Sequence, residues 1–93
     1  MDLTEIRAGI DAVDAELVAL LARRELLVRR AAPLKPDDAA VRAPARVEQV
    51  IARVRALAAD AGASPDAVER IYRGMIATYI DLETDARGRP VDG

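Results

Sequence analysis

Residues 3–31 read LTEIRAGIDAVDAELVALLARRELLVRRA, and alternating steps of three and four through them pick out Leu3, Ile6, Ile10, Val13, Leu17, Leu20, Arg24, Leu27 and Ala31. A 3-4 spacing sustained this long predicts one helix whose apolar stripe packs on other helices in coiled-coil fashion. Arg24 interrupts the stripe. A guanidinium buried in such a seam costs several kcal/mol, on the order of a lost buried charge partner, unless an anion meets it. Two partners fit: a ligand, which is the first reading, or a carboxylate of the chain itself, Glu83 or Glu48.

The helix should start near Leu3, with Asp2 as N-cap and Glu5 three residues on. Pro33 and Pro36 should end it near Ala32. A helix of roughly 30 residues is about 45 Å long, whereas a compact chain of this size has a radius of gyration of about 12 Å. The stripe therefore overhangs its own domain, and a second copy of the chain is the natural cover. An intertwined all-helical homodimer is the expected assembly.

Residues 33–43 read as a loop carrying Lys35, and Pro44 suits the first turn of a second helix with Val47, Val50, Ile51, Val54 and Leu57 on its apolar face. Gly62 is a stop, and Ser64-Pro65-Asp66 starts a third helix expected over about 65–83. There Val68, Tyr72, Met75, Tyr79 and Leu82 recur at helical spacing. The expected organisation is all-α, with three helices in a single domain over residues 1–84 and a polar, Gly- and Pro-bearing tail over 85–93.

Composition narrows the chemistry. The 93 residues contain no cysteine and no histidine, so thiol, disulfide and imidazole chemistry are excluded and no metal site is expected. Fourteen basic against sixteen acidic side chains leave a net charge of -2, which offers no general attraction to nucleic acid or an anionic membrane. No apolar run is long enough to span a bilayer, and the first residues lack the pattern of a signal peptide. A soluble cytoplasmic protein is the default expectation.

Most of the cations are expected on solvated faces, among them Arg23, Arg29, Arg30, Arg53 and Arg55. Arg7 lies beside the seam and about 25 Å from Arg24 along the same helix, too far for one small ligand to touch both. An antiparallel copy of the helix would bring Arg7 of one subunit towards Arg24 of the other. Lys35 and Arg46, the latter at the head of the second helix, could then join them around a ligand with more than one carboxylate. Glu83 is the acid at the edge of this group. Tyr72, Met75 and Tyr79 read first as core, with Tyr79 also a candidate substrate contact.

These residues carry a resemblance. Leu3, Arg7, Ile10-Asp11, Asp14, Leu17, Leu20-Leu21 and Arg24, then Lys35, Pro44-Ala45-Arg46-Val47, Gly62 and an acid ending the third helix look like the all-α chorismate mutases, over residues 3–83. The resemblance implies an intertwined dimer with two sites, needing no cofactor. Arg7 would come from the partner, while Arg24 and Arg46 hold the carboxylates of a small dicarboxylate. Lys35 and Glu83 would be catalytic, donating to the ether oxygen of the breaking bond. The implied activity is that of an isomerase converting chorismate to prephenate. A pericyclic rearrangement suits a chain without nucleophile or imidazole, because it asks only for conformer selection and placed positive charge.

Two departures from the mutase pattern matter. Val47 stands where those enzymes usually carry a glutamate that binds the ring hydroxyl, and the Lys35-to-Arg46 loop is one residue short. Both, with the Ala-Ala-x-x-Lys and Ala-Pro-x-Arg-Val phrasing, are similar to the isochorismate-pyruvate lyase branch of the fold, which makes salicylate; that branch has glutamine where Glu83 stands. A mutase acting on an aminated chorismate is a third member of the class. The alternative outside it is a non-enzymic helical dimerisation module.

Overall fold

The computed structural model describes residues 1–88, and all its regular elements are helical. Helix α1 spans Leu3–Ala31, a 3₁₀ turn covers Ala32–Leu34, and a short helix α2 spans Asp38–Arg42. Helices α3 and α4 follow over Pro44–Ala61 and Pro65–Gly88. The expected all-α class holds. Helix α2 is an addition, since residues 33–43 had read as loop.

The ends follow the capping chemistry of the sequence. The Asp2 carboxylate accepts from the Glu5 N–H at 2.8 Å, and Ser64 Oγ accepts from the Ala67 N–H at 3.3 Å. Gly62 closes α3 in the left-handed region at φ 80°, with the Ala63 N–H returning to the Ala58 carbonyl at 2.8 Å. Pro33 ends α1 by tightening it into the 3₁₀ turn. Helix α4 runs beyond Glu83 through Asp85, Ala86 and Arg87, residues that had been assigned to the tail; the remainder of that tail, 89–93, lies outside the described residues.

Asp37 is the cap that made α2 possible, its carboxylate accepting from the Ala40 N–H at 2.8 Å. Ala43 then takes a left-handed conformation at φ 36°. The helical region is disfavoured before Pro44, so this residue turns the chain from α2 into α3. Val41 anchors the short helix by burying its side chain.

The core lies between α3 and α4 and beneath the 32–43 segment, and comprises Ala32, Val41, Ile51, Val54, Ala58 and Tyr79. Leu57, expected on the inner face of α3, is 51% exposed, and Ala58 takes the inward place. An ion-pair chain clamps α3 to α4. Arg73 forks onto Glu48 with two 3.0 Å bonds and reaches Glu69 at 2.8 Å, and Arg55 lies 2.9 Å from both Glu69 and Asp66. The sequence places Arg55 on a solvated face, but Ser64-Pro65 turns the chain back so that the first turns of α4 present Asp66 and Glu69 to it.

Helix α1 buries none of its residues within one chain. Its stripe stands open, with Leu3, Ile10, Val13, Leu17, Leu20 and Leu27 each at least half exposed. The radius of gyration is 16.4 Å and the longest extent 55 Å, beyond the value of about 12 Å for a compact chain. The overhang inferred from helix length is real. Among the described residues no helix is long and apolar enough to cross a membrane.

Candidate active site

Where α1, the 32–43 segment, α3 and α4 meet, they enclose a cleft of about 210 Å³. Arg24, Lys35, Arg46, Val47, Tyr79 and Glu83 all line it. Six of the seven candidate residues thus come together from four separate stretches of chain. Arg7 is not among them: it sits on the overhanging, exposed part of α1.

Arg24 is half-buried on the inner face of α1 and makes no ion pair among the described residues, so neither Glu83 nor Glu48 bridges it. Its guanidinium carbon lies 5.0 Å from the centroid of the Tyr79 ring, within cation–π range. Tyr79 is itself fixed, because its hydroxyl donates to the Leu21 carbonyl at 3.1 Å. The tyrosine serves core and cleft at once: one edge ties α4 to α1 while the ring face seats the cation.

The two prolines that flank Lys35 help to place it. Pro33 shapes the 3₁₀ turn, and Lys35 leaves that turn in extended backbone at φ -95°, ψ 130°, as a residue before proline should. From there its ammonium lies 2.7 Å from Glu83 Oε1. The carboxylate is only 5% exposed and the lysine side chain 30%. The approach is off-line, so Oε1 has the charge contact without a formed hydrogen bond. A buried carboxylate oxygen left in that state can accept a bond from an added donor.

Arg42 was not foreseen and also lines the cleft. It precedes Arg46 by four residues, but Pro44 argued against one continuous helix; it took the Asp37-capped turn to bring it round. The remaining walls are aliphatic: Val28, Val41, Val47, Val50, Ile76 and Ile80. One chain therefore sets four cations, Arg24, Lys35, Arg42 and Arg46, against the single carboxylate of Glu83. Such a cleft attracts a small anion with more than one negative group and leaves apolar walls for a carbon skeleton. Glu83 is the one carboxylate among the lining side chains, and Val47 provides no acceptor.

Comparison with known proteins agrees with this chemistry. The family described as chorismate mutase type II matches residues 6–84. The chain is also 33% identical over 78 residues to the isochorismate pyruvate lyase of Pseudomonas aeruginosa, covering 84% of this chain and 77% of that protein.

Proposed function

The chain belongs to the chorismate mutase type II family, and from that premise we propose that it catalyses a pericyclic reaction of an enolpyruvyl cyclohexadiene dicarboxylate. The observation that carries this reading is the convergence of Arg24, Lys35, Arg42 and Arg46 on one aliphatic cleft with Glu83 at its edge. The leading activity is the rearrangement of chorismate to prephenate, in which the ether C–O bond breaks as a new C–C bond forms.

The residues act by holding and by charge. Arg24 and Arg46 pair with the two carboxylates and draw the side chain over the ring, selecting the reactive conformer. Lys35 donates to the ether oxygen as negative charge grows there. Glu83 orients Lys35 in the free protein and, when protonated, is a second donor to the same oxygen. Val47 and Tyr79 pack against the ring, and Arg42 guards the mouth. No residue need take or give up a proton over the cycle.

The site is completed by a second copy of the chain. The uncovered stripe of α1 is the surface for an intertwined homodimer, in which Arg7 of one subunit reaches the cleft of the other. Residues 1–84 form the functional domain in this reading, and the protein acts as a soluble enzyme of the cytoplasm.

A second reading has its own support. Val47 leaves the ring hydroxyl of chorismate without a carboxylate acceptor, and the relative from Pseudomonas aeruginosa is named for the isochorismate reaction. In that elimination a ring hydrogen passes to the enolpyruvyl methylene as the ether bond breaks, giving salicylate and pyruvate. The same cations would serve. Separate incubations with chorismate, isochorismate and 4-amino-4-deoxychorismate, with the products identified, test the class and choose within it. Prephenate from chorismate supports the leading activity; salicylate and pyruvate from isochorismate replace it with the lyase; no turnover of any of the three rejects the proposal.

A further inference from the structure

The last two turns of α4 present Glu83 and Arg87 four residues apart, and each meets a charge on the stretch that runs from Lys35 into α2. Glu83 takes Lys35 at 2.7 Å, and Arg87 Nη1 lies 2.5 Å from Asp38 Oδ1. Signs cross between the two pairs, so they set the register of the segment on the helix. The Arg87 side chain is 20% exposed, well covered for an arginine at a helix end.

The segment has little else to hold it. Helix α2 has five residues, too few to be stable alone, and buries only Val41. Yet it follows Lys35 and carries Arg42, and both line the cleft. In the free protein two ion pairs fasten this stretch to α4. Once a substrate oxygen comes between Lys35 and Glu83, their direct pairing is given up, and Arg87–Asp38 is the remaining charge contact between stretch and helix among the described residues.

We propose that Arg87 and Asp38 are positioning residues, whose pair holds the Lys35–Arg42 segment in place while Lys35 is engaged with substrate. The role in turnover rests on the pericyclic reading above; the holding of the segment does not. Arg87 touches no reacting atom and acts through Lys35. Because Lys35 is drawn to the ether oxygen most strongly as charge grows there in the transition state, the pair's contribution is greatest at that point, and its loss should appear in kcat more than in KM.

The test combines amide hydrogen exchange with kinetics on Arg87→Ala, Asp38→Asn, the double variant and Arg87→Lys. Exchange at Ala40, Val41 and Ala43 should quicken about tenfold in both single variants and no further in the double, with Ile51 unchanged. On whichever substrate the wild type turns over, kcat should fall about tenfold with Arg87→Ala, and Arg87→Lys should restore most of it. Unchanged exchange in Arg87→Ala, or additive losses in the double variant, overturns the pairing. Quickened exchange with wild-type kcat overturns the positioning role. A wild type inert toward every substrate tried removes the functional reading and that role with it, while exchange, which needs no substrate, still decides whether the pair holds the segment.

Discussion

The Lys35 ammonium lies 2.7 Å from the buried Oε1 of Glu83, in the cleft that is also lined by Arg24, the cation that interrupts the α1 seam. The pair joins a residue held in extended backbone between two prolines to a nearly buried one on α4, and it brings the two proposed donors to the substrate together.

Glu83 meets Lys35 from a nearly buried position, so its side chain should matter to turnover both by holding the lysine and by facing the substrate. Glu83→Ala should lower kcat by about 10²-fold, whereas Glu83→Gln, which keeps the shape and always carries an N–H donor, should retain most of it. Turnover measured for both variants checks this, and wild-type kcat in Glu83→Ala would remove Glu83 from the site.

Among the described residues Arg24 has no ion pair, and it rests on the Tyr79 ring, which leaves its N–H groups for a ligand. Replacing it by alanine should lower kcat/KM by about 10²- to 10³-fold, the scale for loss of one charge-stabilising donor. The variant should keep its assembly and its melting temperature. If instead Arg24→Ala is markedly more stable and equally active, the arginine is a packing fault rather than a site residue.

Arg7 lies outside the cleft of its own chain, so in the proposed dimer its contribution would cross between subunits. Arg7→Ala and Arg24→Ala should each be weakly active alone. Unfolded together in equal amounts and refolded, they should regain roughly a quarter of the native sites, because half the dimers are mixed and each mixed dimer rebuilds one site of two. Activity of the mixture equal to the mean of the separate variants would defeat the shared-site geometry.

The clamp between α3 and α4 carries its own pH signature. Hydrogen bonds from Arg73 hold the Glu48 and Glu69 carboxyls below the usual carboxylate range, and the same bonds raise Arg73. Depressed carboxylates favour the folded state above the ordinary carboxylate range, and that contribution fades as pH falls through their lowered values. Arg73→Ala should therefore unfold at lower temperature than wild type near neutral pH, with the two melting curves converging in strong acid. Glu48 is exposed and Glu69 half-buried, so the gap should shrink in part in high salt as well; a gap that persists at acid pH would assign the loss to packing.

Much of this site was legible in the chain. Arg24 stood out because a charge in a 3-4 seam violates packing, and Lys35, Arg46 and Glu83 followed from the family pattern; all four line one cleft. Arg42 did not stand out. Its five-residue helix is too short for any periodicity, and it forms because Asp37 caps it, Val41 is buried and Arg87 meets Asp38. The ion pairs of Arg55 were equally hidden, since exposed arginines on a helix look alike until a neighbouring helix chooses among them.

The sequence by itself determined the long α1 helix, its caps and prolines, and the fact that its apolar stripe exceeds what one chain can cover, because period, capping and length are local properties. Only the tertiary structure decided which charges meet. Whether Glu83 pairs with Arg24 or Lys35, whether Tyr79 is core or cleft, and how far α4 extends depend on the angle at which α4 crosses α1 and the 32–43 segment. That angle is set by contacts between residues up to 58 positions apart, such as Tyr79 to Leu21, and no local pattern encodes them.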